Sequence, residues 1–183
     1  MAILKFFRLL IWILLSNLLL SPCNATVYYS KDEAMKLAFG DNASVEMLSL
    51  FPSPEEVVQI EQLAKVKLES NLFSFYVGKN QGQIIGYAAI ESHNVRTKPE
   101  TLLVVLDANG QLRHVFTLAF HEPPEYQPPE RWYDQLGNHT LEQLSFSHDI
   151  QGISGATLST RAALNAARKV LAVYQVIIKD KQK

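Results

Sequence analysis

The chain has 183 residues, 17 Lys and Arg against 18 Asp and Glu, 48% hydrophobic residues and one cysteine, Cys23. The near-neutral balance argues against a nucleic-acid partner, which calls for a basic stripe. A single cysteine, which the cleavage read below removes, excludes a covalently attached c-type haem and a cysteine-ligated cluster.

Residues 1–25 form a compositional unit. Lys5 and Arg8 make a basic lead, Leu9–Leu20 is apolar apart from Ser16 and Asn17, and Cys23 and Ala25 stand at −3 and −1 of a cut after Ala25. This layout predicts a secretory signal peptide and a periplasmic or otherwise extracytoplasmic protein. The apolar run is short against the roughly 20 residues that a spanning helix needs. Two alternatives stand beside cleavage: a retained N-terminal membrane anchor, and a lipid on Cys23, against which the preceding Pro22 argues. Removing Lys5 and Arg8 leaves 15 basic against 18 acidic residues, so the exported part is mildly acidic and free of cysteine. One domain of ~150 residues buries enough surface to fold without disulfides.

Two helix starts follow. Ser30 with Glu33 three residues on predicts a capping box for a helix to about Phe39, stopped by Gly40. Ser53, Pro54 and Glu56 predict a better-marked start, with Val57, Ile60, Leu63 and Ala64 at helical spacing up to about Leu68. Residues 26–69 are thus expected to be a helical N-terminal portion, and 70–183 the core of the domain.

From Leu72 the period changes to two. Phe73, Phe75 and Val77 alternate with Ser74, Tyr76 and Gly78, and Asn80-Gln81-Gly82 turns the chain into an apolar run over Gln83–Ser92. Thr101–Leu106 is a third strand, Asp107–Gly110 a turn, and Leu112, His114, Phe116 and Leu118 a fourth strand. Short links between neighbouring strands predict an antiparallel meander with one face buried. The four prolines of His121–Arg131 exclude a central strand, and Pro129 is placed to open a short helix to Leu136. A polar stretch follows, then a brief segment at Leu144–Phe146. The expected fold class is α+β, an antiparallel sheet of about four or more strands packed with helices, one of them C-terminal.

That last helix is expected to take Ser159 or Thr160 as its cap. Leu164, Ala167, Leu171, Tyr174 and Ile178 form one apolar stripe, while Arg161, Asn165, Arg168 and Lys169 are expected on the outer surface. The β-branched Val176-Ile177-Ile178 also suits a closing strand.

The stretch that asks for a chemical explanation lies just before this helix, Gly152-Ile-Ser-Gly-Ala-Thr-Leu-Ser-Thr160. Small residues leave backbone amides open, and Ser154, Thr157, Ser159 and Thr160 add hydroxyls. A phosphate resting against the helix start suits this composition. So does an ordinary capped helix start with tight packing, and the Walker lysine is absent. The five histidines show no metal-ligand spacing, and Ser154 and Ser159 lack the setting of a hydrolase nucleophile. His148-Asp149 reads as a local loop interaction. His121-Glu122, leading into the rigid proline loop, suits a cleft, and Tyr126, Trp132 and Tyr133 offer planar surfaces for a ring, with a core role equally open.

The run Ser154-Gly155-Ala156-Thr157-Leu158-Ser159 resembles the flavinylation motif of exported FMN-binding domains, including the FMN-bearing subunits of sodium-translocating NADH:quinone oxidoreductase and of its Rnf relatives. The resemblance covers about residues 70–178 and is densest at 152–162. It implies FMN joined by a phosphoester to Thr157, installed by an FAD:protein FMN transferase. It places Ser154, Gly155, Ala156, Leu158, Ser159 and Thr160 around the phosphate. His121-Glu122-Pro123 resembles the His-Glu-Thr-Pro element lining the flavin pocket of the larger relatives, which carries Glu122 over. The Gly-Leu-Gly turn of those relatives is replaced here by Pro124–Pro129, so Tyr126 and Trp132 are assigned to the pocket as features of a compact branch. A second departure is Gln151, where the motif often has an aspartate; Asp149 lies two residues earlier. The implied function is an exported electron carrier exchanging electrons with a membrane or periplasmic redox protein. The alternative is a non-catalytic binding or structural module of the same fold that holds FMN weakly or not at all. No separate substrate domain or catalytic set is visible, which makes a stand-alone enzyme the weakest reading.

Overall fold

The computed structural model describes residues 26–146 and 150–179. The signal-peptide reading of residues 1–25 lies outside them, as do His148 and Asp149.

Among the described residues six strands form one antiparallel sheet: β1 Thr26–Val27, β2 Ser44–Leu50, β3 Phe73–Asn80, β4 Gln83–Asn94, β5 Pro99–Asp107 and β6 Leu112–Phe120. Their order is β1-β6-β5-β4-β3-β2. The four strands read from the sequence are the meander β3–β6, and the expected α+β class is borne out. Asn80 faces Gln83 across the first hairpin, with Gln81 and Gly82 at φ of 50° and 80°. That is the doubly left-handed geometry that suits the right-handed twist of the flanking strands.

Residues 26–69 are not helical throughout, because β1 pairs with β6 and β2 with β3 at the two edges of the sheet. The edge strand β2 escaped the sequence reading for a physical reason: six of its seven residues are exposed, so burial imposes no clear alternation. Helix α1, Lys31–Phe39, and helix α2, Pro54–Ala64, both begin in the expected capping boxes. In each the serine hydroxyl accepts the third amide and the glutamate accepts the serine amide. Helix α2 stops at Ala64, where Lys65 takes a left-handed φ of 54°, short of the expected Leu68.

The proline segment forms a 3-10 turn at Pro124–Tyr126, a single-turn helix α3 at Glu130–Tyr133, and a second 3-10 turn at Asp134–Leu136. Helix α4 runs Thr157–Val173 and continues as a π-helical turn, Tyr174–Ile178, so the tail is helical rather than a closing strand.

The layers follow from the strand period. On one face Tyr76, Ala88, Leu103, Val105 and Leu118 pack beneath Ala34 and Met35 of α1. The other face buries Phe75, Val77, Tyr87, Leu102, Val104 and Val115 against α2, α3 and α4. Along α4 and its π-helical continuation the expected stripe Leu164, Ala167, Leu171, Tyr174 and Ile178 is buried throughout.

Two expectations about α4 are corrected. The helix begins at Thr157 with Ala156 in the cap position, so Ser159 and Thr160 lie inside its first turn and cap nothing. Arg168 does not lie on the outer surface; it is 6% exposed. Its guanidinium donates to the carbonyls of Ala64 and Leu63 at the end of α2 and of Leu141 and Leu144 in the loop after the second 3-10 turn, at 2.6–3.0 Å. Burial lowers its pKa from the usual arginine value. Four neutral acceptors hold the cation, and the Glu142 charge offsets part of the cost of its burial.

Candidate functional site: the start of the last helix and the proline loop

The three long helices among the described residues differ at their starts. Both α1 and α2 carry complete capping boxes, whereas α4, seventeen residues long, has Ala156 at its cap and no side-chain hydrogen bond there. The amides of its first turn therefore lack intrahelical partners, at the positive end of the helix dipole. Within reach of them Ser154, Gly155, Thr157 and Leu158 are all exposed. Gly155 sits at φ 89°, and the space where a side chain would project is open. Thr157 Oγ1 donates to the Ile153 carbonyl at 3.1 Å. The hydroxyl is thus oriented yet accessible, and its oxygen lone pairs are not committed to the core.

The other two hydroxyls turn inward. Ser159, 1% exposed, donates to the Tyr126 carbonyl at 2.5 Å, and Thr160, fully buried, donates to the Thr157 carbonyl at 3.0 Å. Ala156 is buried beneath the loop. The loop therefore has an open outer surface, made by Ser154, Gly155, Thr157 and Leu158, and an inner surface that seats it.

Trp132 supports the loop from within. It is 2% exposed, and its indole N–H donates to the Gln151 carbonyl at 2.6 Å. The Gln151 amide donates in turn to Gln135 at 3.3 Å. Trp132 presents no open ring face; it fixes the chain six residues before Thr157.

Glu122 also works through the backbone. Its Oε1 accepts the amides of Arg96, Thr97 and Lys98 at 3.1, 2.6 and 2.8 Å, gathering the turn between β4 and β5. These bonds, the Thr97 amide foremost, hold its pKa below the usual carboxylate value. The same turn delivers the Arg96 guanidinium onto the Tyr126 ring, 4.8 Å from its centroid. Glu122, Arg96, Tyr126 and Ser159 thus form one connected path from the β4–β5 turn to the first turn of α4. Arg96 was not singled out in the sequence, where it is one exposed-looking arginine among many; only the fold brings it to the proline loop.

Beyond Tyr126 the proline loop forms one wall of a cleft of about 170 Å3, lined by Tyr28, Tyr29, Thr117, Gln127, Glu130 and Tyr133. Tyr28 and Tyr29 come from the stretch after β1, where both amides reach the Leu118 carbonyl. The Tyr28 hydroxyl donates to Gln127 across the mouth at 2.8 Å. The sequence reading passed over these two tyrosines except as the lead into Ser30, because nothing local marks them as partners of a segment some 100 residues away. Among the described residues no group of histidine, cysteine and carboxylate side chains suits a metal ion. No helix among them is long and apolar enough to cross a membrane.

The FMN-binding domain family matches residues 96–172, from the β4–β5 turn through most of α4. That range takes in Arg96, Glu122, the proline loop and the whole Ser154–Thr160 stretch, and it is narrower than the 70–178 read from the sequence. Among characterised proteins, one subunit of the Na(+)-translocating ferredoxin:NAD(+) oxidoreductase complex of Acetobacterium woodii is 24% identical over 143 residues. The alignment covers 68% of this chain and 66% of that protein, so the chain spans just under two thirds of its relative's length. No solved structure matches. The resemblance to FMN-binding domains is borne out, and FMN is the cofactor.

Proposed function

We propose that this protein is an exported electron-transfer domain that carries FMN through a phosphoester to Thr157. The observation that carries the reading is the exposed Thr157 hydroxyl at the uncapped start of α4, inside the matched family range. The residues fit the group. Amides of the first helical turn suit a phosphate monoanion or diester, and an anion there gains roughly 0.3–1 kcal/mol from the helix end. In the attachment step the Thr157 oxygen bonds to the flavin-side phosphorus of FAD, the pyrophosphate bond breaks, AMP leaves, and the hydroxyl proton passes to solvent or to the transferase. Thr157 is a tether and takes no part in turnover.

Ser154, Gly155, Ala156, Leu158, Ser159 and Thr160 shape the phosphate end, the first two and Leu158 from outside and the others by seating the loop. Tyr126 and Gln127 guide the ring along the proline loop toward the cleft of Tyr28, Tyr29 and Tyr133. Glu122 and Trp132 hold the walls from behind. When bound, the flavin supplies the redox chemistry, and the protein contributes burial, orientation and hydrogen bonds. Covalent attachment answers a need specific to export, since free FMN outside the membrane is lost by diffusion. Residues 70–183 serve as the FMN-binding core, 26–69 add the edges of its sheet, and residues 1–25 direct export. The partners are an FAD:protein FMN transferase and a membrane or periplasmic redox protein. The relative's membership of a sodium-translocating ferredoxin:NAD(+) oxidoreductase complex supports the second.

Co-expression with the transferase tests the reading. Intact mass is expected to rise by one FMN less one water, and Thr157→Ala to abolish both that mass and the denaturation-resistant yellow colour. Thr157→Ser keeps a hydroxyl and retains part of the modification. Gln151, in place of the motif's aspartate, favours one second reading: a module that binds FMN without the covalent bond. An unmodified wild-type protein that still binds FMN reversibly would select it.

A further inference from the structure

Beneath α3 lies a carboxylate that the attachment chemistry does not use. Glu100, in β5, is 0% exposed. Its Oε1 accepts the Tyr133 hydroxyl at 3.0 Å, and the Tyr133 oxygen accepts the Thr117 hydroxyl at 3.0 Å. On its other side Oε2 lies 3.2 Å from His93 Nε2, directly across the β4–β5 ladder. A carboxylate offers only acceptors, so Nε2 carries the hydrogen in this pair. Burial, and after it the charge of Glu100, push the Tyr133 phenol far above its ordinary value. The phenol therefore stays neutral and serves as a donor.

The two ends of this chain open on different clefts. Thr117 and Tyr133 line the tyrosine cleft. His93 lines a second cleft, against Ala162, Asn165 and Lys169 of α4. The buried carboxylate thus stands one hydrogen bond behind the wall of the first cleft and one imidazole away from the second.

We infer that Glu100 takes up a proton through His93 when electrons reach a flavin held in the tyrosine cleft, and releases it when they leave. The inference rests on the flavin reading above. A buried carboxylate and added negative charge behind one wall repel each other strongly where water is excluded, so neutralising the carboxylate is the response that costs least. The electrons come from an external low-potential reductant. One solvent proton bonds to His93 Nδ1, the Nε2–H bond breaks, and that proton forms the O–H bond at Glu100 Oε2. The imidazole ends neutral with its hydrogen on Nδ1, and oxidation reverses both transfers. Other charged or titratable groups face the path. Lys67, Glu69 and Lys169 line the cleft of His93, with Glu91 paired to Lys169, while Tyr28 and Glu130 line the cleft of Tyr133. Burial raises the Glu91 pKa even beside Lys169, and Glu91 also acts on His93, so it is the competing carboxylate. Glu100 is set apart by its zero exposure, its contact with His93 and its bond to the Tyr133 wall of the tyrosine cleft.

The test is the count of protons taken up when the flavinylated full-length protein is reduced with dithionite in weakly buffered solution, read with a pH indicator. Wild type is expected to take up one proton more per flavin than Glu100→Gln, whose amide keeps the shape and the bond to Tyr133. His93→Gln is expected to leave the count and slow the uptake more than tenfold. Equal counts in wild type and Glu100→Gln overturn the inference. Tyr133→Phe guards against a misfolded glutamine variant: it removes a donor to the Glu100 carboxylate, leaves that carboxylate and His93 in place, and is expected to shift the pH dependence of the flavin potential toward higher pH. An unchanged dependence there also counts against the coupling. Intact mass separates the two failures. A flavinylated protein with equal counts refutes only the proton step, whereas a wild type that carries no flavin at all refutes the functional reading and this inference with it.

Discussion

Ser159, in the first turn of α4, donates its hydroxyl to the backbone carbonyl of Tyr126 at 2.5 Å, so the proline loop and the attachment loop are tied by one buried bond. The tie sets how far the wall of the tyrosine cleft stands from Thr157.

Ser159→Ala removes the donor and leaves the Tyr126 carbonyl without it. A loss of about 1 kcal/mol in unfolding free energy is expected, measured by urea denaturation. Proteolysis is expected to speed up within 124–129 before the rest of the chain opens, and FMN transfer to Thr157 is expected to slow although that residue is untouched.

Arg168→Met keeps the length of the side chain and abandons four carbonyls. Because two of them end α2 and two belong to the loop at 141–144, the change unties three segments at once. A destabilisation of about 3 kcal/mol is expected in the same urea titration. Arg168→Lys is expected to recover little, since one ammonium cannot reproduce the guanidinium fork.

Glu122 gives a pH-dependent prediction. Its folded-state pKa lies below the ordinary 4.5, through the amides of Thr97, Lys98 and Arg96. A lowered folded value means that its stabilisation is complete above the unfolded value and is lost as pH falls through the folded one. The stability advantage of wild type over Glu122→Gln is therefore expected to be full above about pH 5 and to shrink on acidification below 4.5. Thermal melts in a pH series check it; a constant difference down to strong acid would refute the assignment.

Gly110 turns β5 into β6 at φ 78°, and a Cβ there would overlap the Tyr174 ring. Gly110→Ala combines an unfavourable backbone with a clash against the π-helical end of α4, and a loss of about 2 kcal/mol is expected. Hydrogen exchange is expected to rise first in the turn at 107–111 and at Tyr174–Ile178.

The alternation from Phe73 to Leu118 and the two serine–glutamate boxes were readable because each depends on neighbours a few residues apart. The stretch at 152–160 was readable for the same reason, as a local density of glycine and hydroxyl residues. The cap of α4 was misjudged by three to four residues because a good capping residue was available at Ser159. That hydroxyl instead serves Tyr126, a partner 33 positions away. Arg168 looked like a surface residue because its helical neighbours include Asn165 and Lys169, and its four acceptors lie 24–105 positions away.

Taken alone, the amino-acid order determined where α1 and α2 begin, where the strands of the meander alternate and which loop carries the cluster of hydroxyls, since steric preference and capping act over three or four residues. Tertiary structure alone decided which hydroxyls stay open, that Trp132 faces inward, and that Glu100 meets His93 and Tyr133 out of water. Those outcomes depend on which distant segments compete for the same buried donors and acceptors, and that competition is settled only when the sheet and helices close on each other.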